Sequence, residues 1–283
     1  MITIAIQNQK GGVGKTTTTF HLGGALAKRG QHTLLIDTDP QASLTNSFFG
    51  PTITKAVPPS RSTLAIASGR EPKPASVILK TAFAGLDLIP GSRHAKKYNA
   101  ADALGESIDA RCRLRDFLGE VEDYDFVLID GPPNLQLFAW QSFSAATHLL
   151  IPTTPDDFGA QGLDAVLEFV DQVRSRGGEE GNAGLKWLGV VLNQVNTRSA
   201  LEKDFQGLMR EQYPDNVLKT VLKKLDPIKA AISARKPAAF ANNLDVPGIK
   251  PAAKLFDALA VEIMERIETN HAGLFPALLQ EVS

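Results

Sequence analysis

The chain opens on Ile2-Thr3-Ile4-Ala5-Ile6, continues through Gln9-Lys10-Gly11-Gly12-Val13-Gly14-Lys15-Thr16-Thr17, and then enters a helical pattern. This order of elements leaves few folds open. A short apolar run reads as a strand buried on both faces, the mark of a parallel sheet covered by helices. The glycines let backbone N–H groups turn toward an anion, and a helix starting at Lys15 adds the positive end of its dipole. By the mechanics of a phosphate loop, Gly11, Gly12, Val13, Gly14, Lys15, Thr16 and Thr17 form the cradle. Lys15 reaches the β- and γ-phosphates and the Thr16 hydroxyl ligates Mg²⁺. The strict form of that loop needs a glycine where this chain has Gln9. A second lysine, Lys10, stands five residues before Lys15, on the outer side of the loop, where it can meet a partner's nucleotide.

Further apolar runs lie at 33–36, 86–89, 126–129, 148–151, 187–192 and 217–222, with helical patterns between most of them. The fold class that follows is α/β, a mostly parallel twisted sheet with helices on both faces. Leu163, Val166, Leu167 and Val170 give one helix its inward stripe; Leu255, Phe256, Leu259, Ile263 and Ile267 give the last helix another. No linker is long enough to divide the chain, so residues 1–283 are expected as a single domain. Residues 51–75 carry five prolines among Ser, Arg and Lys and are expected as an insertion or mobile loop; 177–184 are expected as a surface turn. One cysteine, Cys112, excludes a disulfide framework and a cysteine metal site. No apolar stretch approaches the length of a membrane span, and no basic leader precedes the first strand, so a cytoplasmic protein is expected.

In open α/β sheets ligands bind beyond the carboxyl ends of the strands, so the residues after each run are the candidates. Asp130 follows four apolar residues in the manner of a Walker B carboxylate that holds Mg²⁺. Asp37 and Asp39 follow the run at 33–36, Asp39 also standing before Pro40 in a turn-forming position. Asn193 follows the run at 187–192, where an amide could donate to and accept from an adenine edge; a plain strand-end turn is the alternative. Net charge is −1, yet from Lys219 to Lys254 there are eight basic residues and two acidic ones. A local basic patch with no base-reading helix-turn-helix suits sequence-independent, salt-sensitive contact with nucleic-acid phosphates.

These segments together, Lys10 to Thr17, 34–41 (Leu-Leu-Ile-Asp-Thr-Asp-Pro-Gln) and 126–133 (Phe-Val-Leu-Ile-Asp-Gly-Pro-Pro), resemble the deviant Walker A ATPases, and within them the ParA/Soj partitioning proteins of the ParA/MinD superfamily. The resemblance runs over nearly the whole chain. It implies a P-loop NTPase fold, ATP and Mg²⁺ as cofactors, and weak, Mg-dependent ATP hydrolysis. It gives catalytic roles to Lys10, Lys15 and Asp39, with Asp39 orienting or activating the attacking water. Thr16, Asp39 and Asp130 would serve the metal, Asp37 being a further metal-shell or structural carboxylate, and Asn193 the base. Arg198 falls where Soj-like proteins place a DNA-contacting arginine, and Lys224 matches another; with Lys223, Lys229, Arg235 and Lys236 they make up the expected DNA surface.

The implied partners are a second copy sandwiching ATP, non-specific double-stranded DNA, and a ParB-like adaptor on the nucleoid. The same machinery elsewhere positions chemoreceptor arrays or microcompartments. Because the P-loop strand starts at residue 2, no N-terminal DNA-reading domain is expected. A MinD-type membrane ATPase would need a basic amphipathic tail, and residues 271–283 contain no Lys or Arg. A nitrogenase-type reductase would need more than one cysteine. A ligase or kinase on this scaffold would need a substrate constellation that the sequence does not display.

Overall fold

The structure is a computed structural model and describes residues 1–269; the tail weighed above for membrane binding lies outside them. Seven strands form one sheet: β1 (Ile2–Ile6), β2 (Thr33–Asp37), β3 (Leu79–Lys80), β4 (Leu86–Ile89), β5 (Phe126–Asp130), β6 (His148–Thr153) and β7 (Lys186–Leu192). Their order across the sheet is β3-β4-β2-β5-β1-β6-β7. All pairings are parallel except that of β3 with β4, an antiparallel edge the sequence patterns did not announce. The α/β expectation therefore holds. Helices connect the strands: α1 (Lys15–Lys28), α2 (Ser43–Ala56), α3 (Thr63–Ala67), α4 (Pro74–Val77), α5 (Lys96–Asn99), α6 (Ile108–Leu118), α7 (Leu137–Ala145), α8 (Asp157–Ser175), α9 (Ala200–Gln212), α10 (Asp226–Ser233) and α11 (Ile249–Glu268).

The strand at the centre of the function is β1, paired with β5 on one side and β6 on the other, so its carboxyl end opens in the interior of the sheet. The helix that follows, α1, is buried along nearly its whole length, with Phe20, Leu22 and Leu26 wholly inaccessible. Each such side chain stabilises the fold by roughly 1.5–3 kcal/mol. The loop between β1 and α1 is thus anchored at both ends in the core. On the far face, Leu163, Val166, Leu167 and Val170 of α8 are buried as their stripe predicted. Phe256, Leu259 and Ile263 of α11 are buried likewise, with Leu255 and Ile267 half-buried beside them.

Two expectations are corrected. Residues 51–75, expected as an insertion or mobile loop, are largely ordered into helical turns: they hold the end of α2, a 3₁₀ turn at Pro59–Arg61, α3 and the start of α4. Ala65, Ile66 and Val77 are buried in the core beside β2 and β5. The prolines stand where helices tolerate them, Pro59 and Pro74 at first positions; Pro51 follows Gly50, whose positive φ of 76° breaks α2. The run at 217–222 is not a strand of the sheet. It touches β7 and its extension through isolated bridges, Val190 with Val217 and Val195 with Lys223. The Leu218 and Leu222 N–H groups donate to the Val190 and Leu192 carbonyls of β7, at 2.8 Å each, but between them the Lys219 and Thr220 N–H groups donate to the Glu262 carboxylate of α11, at 2.6 and 2.7 Å, which interrupts the ladder.

Inside this core lies a histidine. His21 of α1 is fully buried, stacked on Phe256 at 4.6 Å, and its Nδ1 accepts from the Ala238 N–H at 3.0 Å. Burial, against a weaker pull from the Ile228 carbonyl, holds its pKa down at about 3. The folded state therefore carries His21 neutral, whereas the unfolded chain protonates it near pH 6.5. Its contribution is full above about pH 6.5 and is lost as pH falls toward about 3, at up to about 1.4 kcal/mol per pH unit. Urea unfolding between about pH 7.5 and about pH 5 should cost the native protein about 2 kcal/mol more than a His21→Gln variant; parallel losses would refute a neutral His21.

Candidate functional site

Strand ends set the site. Parallel register puts Ile6 of β1 opposite Asp130 of β5, and Asp130 opposite Asp37 of β2, so the phosphate loop leaves the sheet beside two carboxylates. Gly12 and Gly14 adopt φ of 78° and 89°, the left-handed region open to glycine, which lets the loop fold over the start of α1. Lys15, Thr16 and Thr17 then begin the helix.

The buried Lys15 ammonium donates back to the carbonyls of Asn8, at 2.9 Å, and Lys10, at 3.2 Å. Burial lowers its pKa, partly offset by the negative charge of Asp130 and Asp39. The Thr16 hydroxyl donates to Asp130 Oδ2 at 2.8 Å, and Thr19 donates to Oδ1 at 3.3 Å. A hydroxyl and a buried carboxylate on one side of a phosphate loop are the small donor set that Mg²⁺ takes, since it keeps several waters and completes its shell with phosphate oxygens. The residues thus fit a magnesium–phosphate ligand. Burial first, and Asp37 second, push the Asp130 pKa well up. A cation placed there would relieve both.

The two aspartates after β2 have different duties. The Asp37 carboxylate is fully buried and accepts from the Thr45 N–H at 2.8 Å and the Thr45 hydroxyl at 2.6 Å, which fastens it to the first turn of α2. Burial raises its pKa to about 7. Its structural role explains its place; its second oxygen has no hydrogen-bond partner among the described residues. Asp39 lines the cleft over the loop, with one carboxylate oxygen holding the Gln41 N–H at 2.8 Å. Burial raises its pKa against opposing pulls from the Gln41 N–H and Lys15.

Three expectations change. Lys10 does not stand open at the loop: its ammonium meets the two Asp156 oxygens at 2.6 and 2.9 Å and the Thr154 hydroxyl at 3.0 Å, both just past β6. The pair is part-exposed, so it is worth no more than about 1 kcal/mol. Asn193 is 5% exposed and its Nδ2 is engaged with the loop, donating to the Val13 carbonyl at 2.9 Å. A Cβ on Gly14 would overlap that same amide. Third, the basic residues divide. Lys223, Lys224 and Lys229 border the cleft of about 390 Å³ above the phosphate loop, together with Leu225, Ile228 and Ile232. Arg235 and Lys236 line a separate hollow with Lys28, and the Arg235 guanidinium packs over Gly50 at the break of α2. Arg198 is exposed in the loop between β7 and α9.

Sequence reasoning missed Asp156, Thr154, Thr45 and Gln194. The first two follow an apolar run and could have been found by the strand-end rule; Gln194 adjoins Asn193 and bonds the Gly12 carbonyl. A larger hollow of about 790 Å³ lies at the opposite end of the sheet, around Lys80, Asp87 and Tyr124. There the Asp87 carboxylate already accepts from Lys80 and the Tyr124 hydroxyl. The smaller cleft carries the site because the phosphate loop, Asp39 and the lysines Lys15, Lys223, Lys224 and Lys229 meet in it. Among the described residues no helix is long and apolar enough to cross a membrane.

Comparison with known proteins agrees. The family described as an AAA domain matches residues 1–183. A ParA family protein of Chlamydia muridarum is 33% identical over 239 residues, 84% of this chain and 89% of its own length. The chromosome partitioning protein ParA of Caulobacter vibrioides is 33% identical over 83% of this chain and 85% of its own. Among solved structures, the ATP complex of a McdA variant from Cyanothece superposes with a TM-score of 0.75 at 25% identity, covering 94% of this chain and 96% of that one. Cobyrinic acid a,c-diamide synthase from Mycobacterium smegmatis with ADP and magnesium shares the fold, with a TM-score of 0.76 at 22% identity over 96% of this chain and 97% of that one. By sequence, fold and phosphate loop alike, the chain belongs to the ParA family of P-loop proteins.

Proposed function

We propose that the protein is an ATP-dependent dimerising switch that binds DNA without sequence preference and hydrolyses ATP to drive partitioning of plasmid or chromosome DNA, with a ParB-like adaptor. The observation that carries this reading is a second lysine, Lys10, beside a complete Lys15–Thr16–Asp130 constellation, its ammonium held by a pair weak enough to exchange. Support also comes from the partitioning names of its relatives in Caulobacter and of the Soj ATPase of Thermus thermophilus, 28% identical over 94% of this chain.

In this reading Lys15 leaves the Asn8 and Lys10 carbonyls for the β- and γ-phosphates; Thr16 and Asp130 would hold Mg²⁺, whose charge would offset that of the phosphates. Asp39, at the cleft wall, holds the attacking water. Lys10 exchanges Asp156 for the partner's phosphates, so two ATP molecules join the subunit interface. Two copies then present their basic residues together: Arg198, and Arg235 and Lys236 with Lys28. Lys223, Lys224 and Lys229, at the rim of the cleft, face the nucleotide as much as DNA.

Lys10→Ala should abolish ATP-dependent dimerisation while leaving ATP binding intact; dimers of that variant in light scattering would overturn the sandwich. Asp39→Ala should stop hydrolysis and lengthen residence on DNA in the ATP state, and simultaneous loss of DNA binding would contradict its role. Arg198→Glu and Lys236→Glu should each weaken binding to unrelated duplexes equally and lower the salt slope by about one, with basal hydrolysis unchanged. Undiminished affinity at low salt would refute the surface.

A further inference from the structure

We propose that Asn193 and Gln194, at the end of β7, are positioning residues that fix the peptide planes of the phosphate loop and thereby aim its N–H groups at phosphate, rather than contacts to the base. In a trans peptide the carbonyl and the N–H point in opposite directions. The Gly12 carbonyl accepts from Gln194 Nε2, so the N–H of Val13, in the same plane, is turned away from β7. The Val13 carbonyl accepts from Asn193 Nδ2 at 2.9 Å, which turns the Gly14 N–H away in the same manner. Two successive peptides are therefore held with their oxygens toward β7 and their donors outward, the arrangement that an anion-binding nest requires.

The clamp is itself fixed. Asn193 is buried, its N–H donates to the Thr153 carbonyl at 2.7 Å, and its Oδ1 accepts from the Gln194 N–H at 2.8 Å. Its Nδ2 reaches the Thr18 hydroxyl at 3.4 Å besides Val13, so both donor hydrogens are committed within the protein. Gln194 adopts φ of 57°, a left-handed conformation that costs a residue with a side chain on the order of 1 kcal/mol. That conformation places the side chain of Gln194 on the Gly12 carbonyl while its neighbour serves Val13. Without Asn193 and Gln194, the loop would be free to rotate the peptides of Gly12 and Val13, since the glycines on either side of Val13 permit it.

The inference rests on the reading that the cleft binds nucleotide phosphates, and the test separates the two. Gln194→Glu keeps the size of the side chain and removes its donor; Gln194→Ala removes it altogether. Gln194 is only half-buried, so these variants carry the test, with Asn193→Asp as a third. Each is titrated in the full chain with a fluorescent ADP, in the presence of Mg²⁺, and competed with ATP, GTP and tripolyphosphate. Affinity for ATP and for tripolyphosphate should fall together, by about tenfold, with the ATP-to-GTP preference unchanged and the loss seen in KM more than in kcat. Weakened ATP binding with unaltered tripolyphosphate binding, or loss of the ATP-to-GTP preference, would assign the pair to the base and overturn the proposal. Undiminished binding in all three variants would overturn it as well. A native protein that binds neither ATP nor tripolyphosphate would remove the underlying reading itself.

Discussion

Charge buried at the strand ends governs this structure. Asp37 and Asp130 face each other across neighbouring parallel strands with no exposure, and Lys15 enters the same volume from the first turn of α1. An ionised group taken from water into protein costs several kcal/mol unless hydrogen bonds and opposite charge offset it. Thr45 does this for Asp37, Thr16 and Thr19 for Asp130, and the Asn8 and Lys10 carbonyls for Lys15. The compensation is incomplete: both carboxylates stay raised and the lysine lowered. The beginnings of α1 and α2 are placed by these bonds, and so is the loop between β1 and α1. A dianionic phosphate with a divalent cation supplies what the site lacks on both sides, positive charge for the carboxylates and negative charge for the lysine.

How legible was this in the sequence? Residues whose chemistry follows from their place on a strand were plain. Six of the seven apolar runs are strands, and Asp130 stands at a strand end beside the loop, where its run put it. What escaped was decided by side chains distant in the chain. The run at 217–222 has the composition of a strand, but Glu262 takes two of its N–H groups. Lys10 looked like a free outward cation because Asp156, which holds it, lies beyond β6. Asn193 has the chemistry of a base contact, and only the proximity of Val13 shows where its amide goes. Residues 51–75 have the composition of a loop, yet Ala65 and Ile66 reach the core. Period and composition report a residue's local surroundings; they are silent on the partner that completes a hydrogen bond across the fold.

The basic stretch from Lys219 to Lys254 teaches the same point about charge. Counted along the sequence it is one patch, but folding distributes it over two places of different character. The chain turns at Arg235, in a left-handed conformation, and carries Arg235 and Lys236 to the break in α2, away from Lys223, Lys224 and Lys229 at the cleft. α10 links the two groups, with Ile228 buried against the core and Lys229 at the cleft. A movement of α10 that followed the contents of the cleft would be transmitted to the outer group through a single short helix.

The absence of a side chain at Gly14 has a reach beyond its own loop. Its Cβ would stand where the Asn193 amide lies, and its φ of 89° bars most other residues in any case. Two positions, one following β1 and the other following β7, thus share one small volume: a side chain added at Gly14 would displace the Asn193 amide from the Val13 carbonyl, so the phosphate loop and the end of β7 are packed as one unit although they lie far apart in the chain.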